Sequence, residues 1–300
     1  MNIQQATDDF LMYLHVEKNY SPNTLKSYAF DLKLYTEFLL KHDRSVELCD
    51  LTPVTTRRFI QEQVIQYHIK PRTIQRRISA LKSFCDYCIK EKYMEHNFTI
   101  GVQAPKSDKK LPVYMTLQEL RQLFTYLEND TSKFATRNHV MFKLLATTGM
   151  RRQELVDLTW GQIDVENQTI RIFGKGRKER LLPLHPMVIP LLKAYMNERE
   201  AFQLFSTEPV FLNKDKKKLD PRGLHKIFKD TLPKAGLPPQ RFSLHHLRHT
   251  FATLLLQNKN NQVDIRILQE LLGHESLSTT SIYTHVDFEQ KKSAIHSFMS

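Results

Sequence analysis

Glycine is scarce, eight in 300 residues, and no Gly/Ser-rich or proline-rich tract interrupts the chain. No internal repeat or low-complexity block is visible either, and with 41% hydrophobic residues the chain has enough apolar material for packed cores rather than wholesale disorder. Cysteine is sparse and odd in number, three in all, which fits a reduced protein better than a disulfide framework. No 18-residue apolar run exists, and Met1 to Phe10 lacks a basic region followed by an apolar one. Neither a membrane span nor a secretory signal is expected, and the expected location is cytoplasmic. A Rossmann fingerprint and Asp-rich metal sites are also missing, and Gly174-Lys175-Gly176 lacks the spacing of a phosphate-binding P-loop. What the chain does have is positive charge. Lys and Arg number 44 against 32 Asp and Glu, a net charge of +12. Such a surplus favours a polyanionic partner, although charge that merely keeps a protein soluble reads the same way.

The length favours two domains. Ser21-Pro22 suits a helix start, and Leu25, Tyr28, Leu32, Tyr35 and Leu39 then recur at steps of three and four. A second amphipathic helix follows Pro71, with Ile74, Ile78, Leu81, Cys85 and Cys88 as its apolar stripe. The Cys85-x-x-Cys88 pair lies on that stripe with no second pair nearby, so core cysteines are expected rather than zinc ligands. Arg72, Arg76, Ser79 and Ser83 occupy the other face, which fits either a DNA-groove helix or an ordinary solvated surface. Residues 102–113, with two prolines and three lysines, read as a linker. Thr116 and Glu119 then form a capping box ahead of Leu117, Leu120, Phe124 and Leu127. Alternation over Thr169 to Phe173 and again over Glu179 to Leu184, around the Gly174–Arg177 turn, predicts a β-hairpin, with helices resuming after His185.

Four places carry chemistry: Arg151 after Thr148-Gly149-Met150, Lys175 in the hairpin turn, His245-His246-Leu247-Arg248-His249, and Leu272-Gly273-His274 leading to Tyr283. Each has an ordinary reading. Arg151 suits a helix start, Lys175 an exposed turn, and His245 with His249 a metal pair at helical spacing. Against the metal stands Arg248, a fixed guanidinium that is unfavourable beside a divalent cation and favourable beside a phosphate. Two arginines, a lysine, histidines and a tyrosine suit phosphoryl transfer without metal. Guanidiniums neutralise the charge that grows on the non-bridging oxygens, a lysine protonates the leaving oxygen, and a phenol of pKa near ~10 can both attack and depart.

Taken in order, TGMRRQEL, GKGRKERLLPL, HHLRHTFAT and LLGHESLSTTSIYTHV resemble the motifs of the tyrosine recombinases of the phage integrase family, and among these the Xer-type site-specific recombinases. Tyr283 follows the Leu-Leu-Gly-His histidine by nine residues, and the motifs run from about Thr147 to Val286. The resemblance implies a mainly α protein of two domains. Residues 1–101 would be an N-terminal helical core-binding domain, residues 102–113 a linker, and residues 114–300 a mostly helical α/β catalytic domain with a small antiparallel sheet. Arg151 and Arg248 would clamp the scissile phosphate, Lys175 would protonate the 5′-oxygen, His245 would be the acid–base partner, His274 would hydrogen-bond the phosphate, and Tyr283 would form a 3′-phosphotyrosine. Glu154, one turn beyond Arg151, would orient it. Arg152 stands where the family pattern is usually uncharged; the register after Thr-Gly and the spacing to Glu154 favour Arg151, with Arg152 left open as the alternative. Thr24, Arg72 and Arg76 are candidate DNA contacts.

The implied partner is double-stranded DNA with a specific recombination site, enclosed by a C-shaped clamp, with no cofactor, metal or membrane. Four protomers, identical or including a related recombinase, would exchange strands through a Holliday junction. Phe288, Ile295, Phe298 and Met299 would dock a C-terminal segment on a neighbouring protomer, or else cover their own domain. No arm-binding domain fits before Phe10, which argues against the larger phage integrases. A type IB topoisomerase, a non-catalytic DNA-binding relative and a metal-dependent hydrolase are the competing readings.

Overall fold

Proline and hydroxyl caps set the first four helices. In the computed structural model, which describes residues 1–105, 113–174, 179–200, 205–257, 263–273 and 288–298, these helices are α1 (Ile3–Val16), α2 (Pro22–Lys41), α3 (Pro53–Ile65) and α4 (Pro71–Lys90). Ser21 and Thr52 accept backbone N–H bonds at the starts of α2 and α3, each followed by proline at the first helical position. The chain divides into two compact units, Met1–Lys110 and Leu111–Ser300. Of the expected linker, residues 106–112 lie outside the described residues.

In the first unit the expected stripe of α4 is fully inside, with Ile74, Ile78, Leu81, Cys85 and Cys88 all buried among Phe10, Tyr35, Phe59 and Phe98. The α2 stripe buries Leu32, Tyr35 and Leu39, while Leu25 and Tyr28 are half-buried. Burial pushes the Cys88 thiol up to about 12 and raises Cys85, so both behave as apolar core groups rather than thiolate ligands.

Arg76, on α4's outer face, is part exposed and is also anchored to α2. Its Nη1 donates to Ser27 O (3.2 Å) and to Asp31 Oδ2 (2.5 Å) on α2. Asp31 is wholly buried, and Arg77 lies on its other side with Nε 3.4 Å from Oδ1, while Arg77 Nη1 donates to Gln63 Oε1. A carboxylate without access to water draws in both neighbouring guanidiniums, and burial still raises its pKa despite them. Removing it leaves Arg77 charged and buried. Asp31→Ala is therefore expected to destabilise the first unit by about 3–5 kcal/mol, measured in the full chain by hydrogen exchange of α2 and α4. Arg72 remains exposed, and the Thr24 hydroxyl lies 2.9 Å from Ser21 Oγ at the helix cap.

The second unit begins with α5 (Leu117–Asn129), where Glu119 N–H donates to Thr116 Oγ1 and Thr116 N–H to Glu119 Oε2, the expected capping box. α6 (Ala135–Thr148) is buried on nearly every side, polar residues included, and runs through the centre, packed by α5, by α8 (Ile189–Glu200) and by α10 (Leu244–Gln257). Between α6 and α8 lie the short α7 (Arg152–Val156) and a three-stranded antiparallel sheet of β1 (Ile163–Asp164), β2 (Thr169–Phe173) and β3 (Glu179–Pro183). The expected hairpin is β2–β3, in register Thr169↔Pro183 to Phe173↔Glu179, with Ile170 and Ile172 facing the core. β1 was not anticipated, because two residues are too few to display an alternation. α9 (Pro221–Lys234) and α11 (Ile265–Leu272) complete the body around the site.

The last helix, α12 (Phe288–His296), packs on β3 and α11 of its own unit. Ile295 and Phe298 are buried there, Phe298 against Phe251, and His185 Nε2 donates to Phe298 O. In the single chain these two residues thus cover their own domain; Met299 lies outside the described residues.

His139, on α6, is buried, and among the described residues its Nε2 has no hydrogen-bond partner. Burial, then the charge of Lys143, pushes its imidazole from 6.5 down to about 4. The unfolded chain takes up this proton first as pH falls. The contribution to stability is therefore complete above the unfolded value and is lost between about pH 6.5 and 4, up to about 3 kcal/mol. Trp160, the one tryptophan and a buried residue of this unit, gives a fluorescence readout. Unfolding midpoints are expected to fall over that window, and His139→Leu is expected to flatten the fall.

Candidate active site

α6 ends where the site begins. Gly149 caps it in the left-handed region (φ 61°), and a Cβ there would stand 2.5 Å from Phe251 and 2.8 Å from Leu272. Only glycine permits both the turn and this close approach of α10 and α11 to the end of α6. The turn sets Arg151 at the start of α7, where its N–H donates to Glu154 Oε2 (2.7 Å) and its Nη1 to Glu154 Oε1 (2.8 Å). Its Nη2 donates to Gly273 O (3.2 Å), just past α11. Arg151 itself is exposed at the surface. Arg152 is exposed too and borders the same depression as Arg151, whereas the bonds to Glu154 come from Arg151.

Arg248 comes from α10. It is 6% exposed and spans two helix ends, Nη1 donating to Gly149 O (2.7 Å) and Nη2 to Leu272 O (2.6 Å). Burial first, and then the charge of Arg151, lowers its pKa to about 10, which leaves it cationic at neutral pH. One turn earlier His245 is exposed at the mouth of the site. Partial burial, followed by the charges of His249, Arg248, His246 and Arg151, depresses its pKa and favours the neutral imidazole. The His245 and His249 rings meet edge to face at 4.4 Å. Among the described residues no three His, Cys, Asp or Glu side chains converge as a metal-binding group.

Met150, Arg151, Ser243, Leu244, His245 and Arg248 border one open depression of about 420 Å³. The structure thus brings Arg151, Glu154, His245 and Arg248 together from two separate stretches of chain. Lys175, His274 and Tyr283 lie outside the described residues. Thr24, Arg72 and Arg76 belong to the first unit.

Two residues at the site were not anticipated. His225, on α9, borders the same depression, and nothing in its local pattern marks it. Arg180, on β3, holds Glu154 with a fork, Nη1 to Oε1 (3.0 Å) and Nη2 to Oε2 (2.7 Å). A signal for it does exist: Arg180 shares strand parity with buried Leu182, so the hairpin aims an arginine inward. Burial alone would raise the Glu154 carboxyl, but the hydrogen bonds and charge of Arg180, joined by Arg151, outweigh it and hold the group below the usual carboxylate range.

Residues 113–290 match the phage integrase family, and residues 7–92 match the phage integrase N-terminal SAM-like domain. The tyrosine recombinase XerC of Halalkalibacterium halodurans is 35% identical over 294 residues, covering 95% of each chain. The tyrosine recombinase XerD of Staphylococcus aureus is 35% identical over 304 residues, covering 99% of each. Among solved structures, the XerH site-specific recombinase in a post-cleavage complex with a palindromic difH substrate superposes with a TM-score of 0.71 at 25% identity, over 94% of this chain and 78% of that one. A lambda integrase tetramer bound to a Holliday junction shares the fold, with a TM-score of 0.69 at 17% identity over 96% and 80% of the two chains.

Proposed function

The chain belongs to the phage integrase family and, within it, to the Xer-type tyrosine recombinases, and from that premise we propose that it cuts and rejoins DNA at a specific site through a 3′-phosphotyrosine. The observation that supports this most is the convergence of two guanidiniums, Arg151 and Arg248, with a neutral-leaning His245 around one open depression. Tyr283 Oη attacks the scissile phosphorus, the bond from phosphorus to the 5′-oxygen breaks, and Lys175 supplies the proton that the 5′-oxygen takes up. The phenolic proton passes to His245. Arg151 and Arg248, with His274, neutralise the charge that grows on the non-bridging oxygens. Attack by the 5′-hydroxyl of a partner strand reverses the step and releases the tyrosine. The phosphodiester energy is kept in the covalent bond, so neither ATP nor a metal is required.

Recombination of two duplexes needs four such steps. The active assembly is a tetramer, of this chain alone or with a related recombinase, that passes through a Holliday junction, and its place of action is the cytoplasm. Consistent with this, no described helix is long and apolar enough to cross a membrane.

The test begins with a duplex selected by the chain from a randomised pool, then nicked near the cleavage point to trap the product. In EDTA the wild type is expected to give a protein–DNA adduct on a denaturing gel. Binding without an adduct would favour a DNA-binding relative, and loss of the adduct in EDTA a metal enzyme. Because partial burial and the neighbouring positive charges depress the pKa of His245, its neutral form predominates at neutral pH. The adduct rate is expected to be flat from about pH 7 to 8 and to fall as acid protonates the imidazole.

A further inference from the structure

Three consecutive carbonyls at the end of α11 are each taken by a different arginine. Arg180 Nε donates to Leu271 O (3.1 Å), Arg248 Nη2 to Leu272 O (2.6 Å), and Arg151 Nη2 to Gly273 O (3.2 Å). Guanidiniums are well suited to the negative end of a helix, but three on successive residues make this turn a shared anchor. Two of the three also meet on one carboxylate. Glu154 accepts four hydrogen bonds, two from Arg180 and two from Arg151, so its acceptor sites are filled.

The charges do not cancel evenly. Glu154 carries one negative charge between two guanidiniums, and Arg180 engages it in the forked geometry that pairs best. The Arg180 side chain is 12% exposed, too enclosed to reach DNA, whereas that of Arg151 is 42% exposed. With Glu154 neutralised from the inside by Arg180, Arg151 keeps its net charge for an incoming phosphate. Without Arg180, the buried carboxylate would compete with the phosphate for Arg151.

We propose that Arg180 is a positioning residue for strand cleavage: it fixes Glu154 and the end of α11, and so holds Arg151 aimed and electrostatically free for the scissile phosphate. This rests on the recombinase reading above. Arg180 touches no reacting atom and acts through Arg151.

The experiment uses the full chain and the selected, nicked duplex, with binding and single-turnover cleavage measured separately. Arg180→Met is expected to bind within about threefold of the wild type and to cleave about 30- to 100-fold more slowly. Arg180→Lys keeps the charge but loses the fork and is expected to fall between, about tenfold down. A second duplex carries a neutral methylphosphonate at the scissile position, which leaves little charge for Arg151 to neutralise. On it the gap between wild type and variant is expected to shrink to within about threefold.

A merely structural role would leave the gap equal on both duplexes. That result, or cleavage by Arg180→Met within about twofold of the wild type, would overturn the proposal. If Trp160 fluorescence reports that Arg180→Met is unfolded, Arg180→Lys carries the same comparison. Should the wild type bind the duplex and form no adduct, the recombinase reading fails and this inference with it. A Tyr283-dependent adduct whose rate ignores Arg180 sinks this inference alone.

Discussion

Tyr283→Phe is expected to bind the selected duplex within about twofold of the wild type and to form no covalent adduct, a loss of at least about 10⁴-fold in cleavage. The substitution removes one oxygen and keeps the ring, so its effect isolates the nucleophile. The guanidinium clamp remains, since Arg151 and Arg248 are held by Glu154 and by the carbonyls of Gly149, Leu272 and Gly273. Affinity owed to phosphate contacts should therefore survive. Water is a poor substitute, because no described carboxylate stands at the depression to activate it: Glu154 is buried and saturated by two arginines. Another tyrosine of the same unit is no ready replacement, Tyr195 being buried and bonded to Val210 O. An adduct in the Phe variant at the wild-type rate would sink the assignment of Tyr283.

What the sequence displayed was short-range. The α4 stripe, the capping box at Thr116 and the β2–β3 hairpin each express a period of a few residues, and each is found where the pattern puts it. Arg151 and Glu154 were readable for the same reason, lying three apart on one turn. Long-range pairings were not. The bond from Arg76 to Asp31 left no local sign, because the two are 45 positions apart on different helices. Arg180 meets Glu154 across 26 residues and Leu271 across 91, so its role as an anchor exists only once the second unit has folded. Its inward strand parity alone hinted at a buried carboxylate. The motif singled out Arg248 as a candidate phosphate clamp, yet nothing local implied that it joins the ends of α6 and α11.

That joining determines the cost of changing it. Arg248→Lys is expected to cleave about 10²- to 10³-fold more slowly than the wild type, with duplex binding within about threefold. Charge is not what is lost, since the pKa of the arginine, lowered by burial to about 10, already leaves it cationic at neutral pH, as lysine would be. Geometry is. The guanidinium reaches Gly149 O and Leu272 O with separate nitrogens while its charge lies beside the depression. One ammonium cannot hold both carbonyls and present a forked pair of donors to a phosphate. A carbonyl left without its donor in this buried place costs about 1–3 kcal/mol, so Trp160 fluorescence should report a modest loss of stability that is too small to unfold the domain. The two readouts separate the causes. A large cleavage defect with a folded, DNA-binding protein means that the fork itself stabilises the transition state. A lysine variant that cleaves like the wild type would mean that Arg248 serves only to tie the helices together, and the phosphate clamp would then rest on Arg151 alone.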